Sequence, residues 1–178
     1  MEFIAEKGEG MIPFVLSQIL ETCVSGITLS DPTQEDNPIV YANEAFELIT
    51  GYNREETLGR NCRFLQGSDR DQPGIEKIRQ AMDAHKPITV TLRNYRKDGE
   101  LFYNRLTVKP LFDPQGRLIY CMGIQHDVTN QVDAEEELKR LKRLIQEADQ
   151  STLRSHGCLR TGSVPSIVQV GRNAPQPH

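Results

Sequence analysis

Apolar residues recur with helical spacing from about Pro13 to Cys23, where Leu16, Ile19, Leu20 and Cys23 share a face. Pro13 suits a first helical position and Gly26 marks a stop, so the pattern predicts a short amphipathic cap helix. Gly26–Asp31 then reads as a strand, the Pro-, Asp- and Asn-rich stretch Asp31–Pro38 as a turn, and Ile39–Ala42 as a second strand. From Asn43 to Tyr52 an Asn cap, the apolar set Ala45, Phe46, Leu48 and Ile49 and a terminating Gly51 predict a short helix. Asn53-Arg54-Glu55-Glu56 places a carboxylate three positions after a capping residue, which starts a second short helix. One helical turn is expected at Asn61–Gly67, then a longer helix with the face Ile75, Ile78 and Met82, ending before Pro87.

The most regular section follows. Ile88–Arg96, Leu101–Leu111 and Leu118–Val128 read as three long strands divided by Lys97-Asp98-Gly99 and Asp113-Pro114-Gln115-Gly116, an antiparallel meander. With the first hairpin this makes five strands segregated from the helices, hence an α+β fold: a five-stranded antiparallel sheet with helices on one face, plus N-terminal and C-terminal flanking helices. Beyond the sheet, Ala134, Leu138, Leu141, Ile145 and Ala148 alternate spacings of four and three, and Glu135 with Lys139 and Glu136 with Arg140 pair one turn apart. The organisation expected is therefore a cap helix over 1–24, a core over 25–130, an amphipathic helix over 131–150 and a tail or weakly structured extension over 151–178. The tail is Ser-, Gly-, Pro- and Arg-rich with one brief apolar run at Ile167-Val168-Val170, and is not an output domain.

Composition narrows the function. The 178 residues carry 21 Lys and Arg against 25 Asp and Glu, a formal net charge of -4, which advertises neither nucleic acid nor an anionic membrane as partner. There is no Trp, and aromatics are 6%, so a stacking platform for single-stranded nucleic acid is poorly supported. No apolar run approaches the roughly 18 residues that span a bilayer and no signal peptide opens the chain, so it reads as cytoplasmic. Cys23, Cys62, Cys121 and Cys158 form no C-x-x-C pair and have no His at metal spacing, so neither a metal site nor a disulfide framework is expected. His85, His126, His156 and His178 do not cluster, and no nucleophile triad or Gly-rich phosphate loop is present, which leaves hydrolase and kinase readings without support.

Polar residues interrupt the apolar strand faces in a repeated way. With side chains alternating at period two, Ile88, Val90, Leu92 and Asn94 point one way, as do Phe102, Asn104, Leu106 and Val108. Gln125 shares a face with Ile119, Cys121 and Gly123, although the opposite face of that strand, Tyr120, Met122 and Ile124, is apolar too. For any single carboxamide, contact with water is the plainer reading. Three on neighbouring strands suggest a buried partner rich in donors and acceptors, such as a planar heterocycle with an imide edge, because an unpaired buried amide costs about 1–3 kcal/mol. Arg63 and Arg79 stand where two guanidiniums near a pocket mouth would hold a phosphate, while each alone reads as a solvated charge, as do Arg54, Arg60 and Lys77. Cys62 sits in a polar turn, whereas Cys23 and Cys121 fall in apolar patterns and read as small core residues.

The run Gly59-Arg60-Asn61-Cys62-Arg63-Phe64-Leu65-Gln66-Gly67 closely resembles the signature of light-oxygen-voltage (LOV) domains, a flavin-binding branch of the PAS superfamily. The likeness extends over about residues 25–130, through Asp31-Pro32, Asn37-Pro38-Ile39, Asn94–Gly99, Gly123-Ile124-Gln125 and Asp127-Val128-Thr129. It implies FMN as cofactor, riboflavin or FAD being alternatives, with Cys62 above the ring, Arg63 and Arg79 on the phosphate, and Asn61 and Gln66 on the ribityl chain and ring. It further implies Asn94 and Asn104 on the pyrimidine edge, Gln125 facing O4 and N5, and Thr28, Leu65 and Leu106 around the ring. Thr28 and Leu106 depart from the branched aliphatic and the aromatic residue often seen at those positions.

The resemblance implies a blue-light photoreceptor of the short LOV type in which Cys62 forms a reversible bond to flavin C4a, Gln125 turns its amide as N5 gains a proton, and flanking helices carry the response. Nothing is turned over, so the chain is not expected to be an enzyme; a flavin-dependent oxidoreductase or redox sensor on the same scaffold is the alternative. The partner expected is a second copy in a homodimer with light-dependent association, or a separate signalling protein.

Overall fold

A computed structural model describes residues 14–157. Its elements are α1 (Phe14–Glu21), β1 (Gly26–Ser30), β2 (Ile39–Ala42), α2 (Glu44–Thr50), α3 (Arg54–Thr57), a 3-10 turn (Cys62–Gln66), α4 (Pro73–Asp83), β3 (Ile88–Tyr95), β4 (Leu101–Phe112), β5 (Leu118–Asp127) and α5 (Thr129–Gly157). The order in the sheet is β2-β1-β5-β4-β3, antiparallel throughout. The hairpin and the meander meet where β1 runs beside β5, in the register Gly26↔Gln125, Thr28↔Gly123 and Ser30↔Cys121. This pairing spans about a hundred residues of sequence, and it puts Thr28 on the same strip of sheet as the fifth-strand glutamine.

Local chemistry sets the helix ends. Asn43 is fully buried, and its Oδ1 accepts from Phe46 N to cap α2 and from Ile27 N on β1, while its Nδ2 donates to Leu20 O and Ser25 O. One side chain thus ties α1, β1 and α2 together. Asn53 and Glu56 form the expected reciprocal capping box, and Gly51 ends α2 with a left-handed φ of 74°.

Ile39, Ala42, Phe46 and Leu65 form one apolar cluster with Tyr52, Leu58 and Phe64 around it, and Val90, Leu92 and Leu106 form another with Ile75 and Ile78 of α4. Between them the helix-covered sheet face stays open, and this is where the site lies. On the opposite face Ile27, Leu29 and Tyr41 pack against Leu20 of α1 and Cys23. Both faces of β1 are therefore covered, which is why it is buried almost throughout. Cys23, expected as a core residue, is half-buried at the edge of this cluster, just after α1, with Sγ directed to Ile19 O at 3.3 Å.

The last helix departs from the expected span at both ends. It starts at Thr129, whose Oγ1 accepts from Tyr103 N and whose N–H is held by Asp127 Oδ1. It continues to Gly157, into the stretch whose composition predicts a tail. Leu138, Leu141, Leu144 and Ile145 of this helix are each about half exposed or more. The run Ile167-Val168-Val170 and Cys158 lie outside the described residues. No helix among the described residues is long and apolar enough to cross a membrane.

Candidate functional site

A cavity of about 470 Å³ opens between the sheet face and the helical segment from the 3-10 turn to α4. Its wall contains Thr28, Asn61, Cys62, Arg63, Leu65, Gln66, Arg79, Asn94, Asn104, Leu106 and Gln125, so the structure gathers every candidate site residue of the sequence around one space. The strands supply the floor. Val90, Leu92 and Asn94 of β3 and Phe102, Asn104 and Leu106 of β4 are buried on alternate positions, and Gln125 shares the face of Cys121 and Gly123. The open question of which way Gln125 points is thereby answered: inward.

The three carboxamides are almost completely buried, Asn94 at 3%, Asn104 at 1% and Gln125 at 2% exposure. Asn104 Nδ2 donates to Asn94 Oδ1 at 2.9 Å, Asn94 Nδ2 donates to Arg93 O at 3.1 Å, and Gln125 Nε2 donates to Thr28 Oγ1 at 3.4 Å. Asn104 Oδ1 and Gln125 Oε1 are buried with no partner. Two unpaired carbonyls on neighbouring strands would each cost about 1–3 kcal/mol in a closed core, so their place on a cavity wall marks where donors are accommodated. Turning the Gln125 amide over exchanges its oxygen and nitrogen. The Thr28 hydroxyl serves either orientation, accepting from Nε2 or donating to Oε1.

Cys62 opens the 3-10 turn, whose first N–H groups are capped by Asn61: its Oδ1 accepts from Arg63 N at 3.0 Å and lies 3.9 Å from Cys62 Sγ. The thiol is exposed and lines the cavity, yet enough protein surrounds it that desolvation pushes its pKa up. The Arg63 charge pulls the other way and the Asp36 carboxylate adds to the rise. A thiol raised above its ordinary value keeps its proton at neutral pH, so the sulfur is poised as a neutral thiol and not as a thiolate. Arg63 donates to Asp36 Oδ1 and Arg79 to Glu76 Oε2, while a third cavity-lining guanidinium, Arg70, donates to Gly67 O at 3.2 Å.

Among known proteins, a PAS domain family model matches residues 24–130. A light-oxygen-voltage domain whose mechanism was studied with a flavin analogue superposes with a TM-score of 0.63 at 40% identity, over 75% of this chain and 98% of that one. The chain belongs to the PAS family, as a light-oxygen-voltage domain. A blue-light photoreceptor of Listeria monocytogenes is 46% identical to this LOV chain over 126 residues, which are 71% of the chain and 49% of that protein. The chain thus spans about half the length of that relative. An RNA-binding light-oxygen-voltage receptor superposes with a TM-score of 0.70 at 36% identity, over 82% of this chain and 41% of that one.

Several residues of the LOV cavity carry little trace in the sequence pattern. Arg70 lies in a polar loop among Ser68, Asp69 and Asp71, with no periodicity to select it. Asn37 lies in the β1–β2 turn with a left-handed φ of 48°, and its Oδ1 is a third buried oxygen with no partner. Cys121, expected as a core residue, is buried and borders the cavity as well.

Gly123 lets Thr28 and Gln125 meet. A Cβ there would lie 2.7 Å from Thr28 Oγ1 and 3.7 Å from Gln125 Nε2, and the Thr28↔Gly123 pairing leaves little room for the strands to separate. Gly123→Ala is expected to lower the unfolding free energy by about 1–3 kcal/mol, read as a lower denaturant midpoint at unchanged slope. Unaltered stability would show that the Thr28 hydroxyl swings aside without cost.

Proposed function

We propose that this LOV domain is a blue-light sensor that holds FMN in the cavity and signals through its flanking helices. The observation that carries the reading is the pair of buried, unpartnered amide oxygens, Asn104 Oδ1 and Gln125 Oε1, on the same cavity as the Cys62 thiol and three guanidiniums. These residues fit a flavin. Asn104 offers an acceptor for an imide N–H, Asn94 keeps a second amide hydrogen for an imide carbonyl, and Gln125 can either donate or accept. Leu65, Leu106 and Thr28 would flank the ring, Gln66 would meet the ribityl chain, and Arg63, Arg79 and Arg70 would favour the phosphorylated flavin over riboflavin. Asn61, on the same wall, accepts from Arg63 N and donates to Asp36 O at 2.5 Å, which positions Cys62 and Arg63 and leaves each end of its amide capacity for the ribityl chain.

When bound, FMN supplies blue-light absorption and a ring that takes up a thiol's sulfur and proton together and returns both in the dark. Cys62 supplies that thiol, in the neutral form its surroundings favour. Gln125 would answer a ring atom that changes from acceptor to donor by turning its amide, with Thr28 able to partner both orientations. Nothing leaves the site as product, so the chain acts as a sensor and not as an enzyme, and its place of action is the cytoplasm.

Both flanking helices leave the core beside Gln125. Two residues on, Asp127 holds the first turn of α5 through Thr129, and the neighbouring His126 Nε2 is 2.8 Å from Ser25 Oγ in the segment that joins α1 to β1. A turned amide therefore acts on both output elements at once. The half-exposed stripe of α5 pairs with its symmetry mate in a homodimer whose association responds to light. Gln125→Leu is expected to bleach as the parent does while losing more than half of the light-driven change in helix content or hydrodynamic size. Circular dichroism and scattering in dark and light measure both; an undiminished response would remove Gln125 from the pathway.

A further inference from the structure

Arg63, the residue directly after Cys62, is paired with a carboxylate at the cavity mouth. Its partner Asp36 does not arrive by chance from a mobile surface. Asn61 Nδ2 donates to Asp36 O at 2.5 Å, Asn37 N donates to Gln34 O at 3.2 Å, and Asp31 N donates to Pro38 O at 2.9 Å, so the turn is tied to the segment that carries the thiol. Asp36 and Asn37 are held at left-handed φ values of 63° and 48°, a conformation that side chains other than Asn and Asp rarely adopt. The turn thus fixes the Asp36 backbone independently of the ion pair, and the buried, unpartnered Asn37 Oδ1 shows the same turn bordering the cavity.

The charges at the mouth then count differently from three free cations. Arg63 carries Asp36 and Arg79 carries Glu76, while Arg70 donates to the backbone carbonyl of Gly67. Glu76 lies one turn from Arg79 on the exposed surface of α4 and can swing away with its helix-surface rotamers. Asp36 is anchored by its backbone next to Arg63. A phosphate reaching Arg63 must share the guanidinium with that carboxylate or displace it, at the cost of repulsion between two anions. The neutral end of a riboflavin chain meets no such cost.

We infer that Asp36 is a selectivity residue of the flavin site: its carboxylate, held on Arg63 by the β1–β2 turn, weakens the preference for FMN over riboflavin. This rests on the flavin reading above. The same pair flanks the thiol, since Arg63 lowers and Asp36 raises the pKa of Cys62.

The test is a titration of apo protein with FMN and with riboflavin, read by quenching of flavin fluorescence, for the parent, Asp36→Asn, Arg63→Gln and the double variant. Asparagine tolerates the left-handed backbone as well as aspartate does, so Asp36→Asn removes the charge and keeps the turn. The ratio of riboflavin to FMN dissociation constants is expected to rise about three- to fivefold in Asp36→Asn, the scale of an exposed ion pair, and to shrink back toward the parent in high salt. In Arg63→Gln the ratio falls, and there the added Asp36→Asn change has a smaller effect, because only the direct repulsion between carboxylate and phosphate remains to be removed. If both flavins bind, Arg63→Gln lowers the ratio and Asp36→Asn leaves it alone, the flavin reading stands and the selectivity role is overturned. An Asp36→Asn effect that is undiminished in the Arg63→Gln background likewise overturns the role assigned to the pair. If neither flavin binds the parent, both are overturned.

Discussion

Replacing Cys62 with Ala is expected to abolish light-driven bleaching completely while leaving FMN bound within about twofold of the parent affinity. The thiol is the nucleophilic group the 3-10 turn presents to the cavity, and none of its hydrogen bonds reaches the amides of the floor. Asn94, Asn104 and Gln125 sit on strands that the substitution does not touch. Losing one sulfur removes a small apolar contact and nothing that orients a ring. Absorption spectra before and after irradiation, with an FMN titration of each protein, read the two effects separately. Bleaching that persists in Cys62→Ala would assign the chemistry to another group, and Cys121 on the cavity wall would be the first to exchange.

The second large effect concerns association. Leu138 and Leu141 expose 52% and 48% of their surface on one helix, and a stripe of this kind on a 29-residue helix is stable in water chiefly when it packs against a partner. Leu138→Gln with Leu141→Gln keeps helix propensity and removes the stripe. In a two-fold dimer each substitution acts twice, so at about 1 kcal/mol per half-exposed leucine the loss is on the order of 4 kcal/mol, about a thousandfold in the dimer constant. Sedimentation velocity over a concentration series in dark and light should show the variant as a monomer at concentrations where the proposed parent dimer forms. A variant that associates as the parent does would place the interface elsewhere, for instance on the α1 side, where Ile19 exposes 53%.

The floor of the site is legible in the sequence because strand side chains alternate at period two, so an asparagine that ends an apolar row has one place to go. Asn94 and Asn104 follow that rule on β3 and β4. Gln125 does not, since both faces of its strand are apolar. Its direction is set by the β1–β5 pairing, a long-range choice that no local pattern records. The hairpin and the meander are visible as parts of one five-stranded sheet, but which of their strands meet is not. The start of α5 at Thr129 comes from Asp127 and Thr129 hydrogen bonding, which apolar spacing ignores, and so the expected helix begins at residue 131, after the observed start. Arg70 and Asn37 sit in irregular backbone, where position depends on turn geometry and not on the order of polar and apolar residues.

On the proposed function, the Cys62 thiol and a flavin held by Asn94, Asn104 and Gln125 form a reversible light switch. The most direct test is the absorption spectrum of the purified protein saturated with FMN, recorded in the dark, after blue irradiation and through dark recovery. A structured flavin band near the blue that bleaches on irradiation and returns in full in the dark is the predicted result. Saturated protein whose flavin band never bleaches would contradict it.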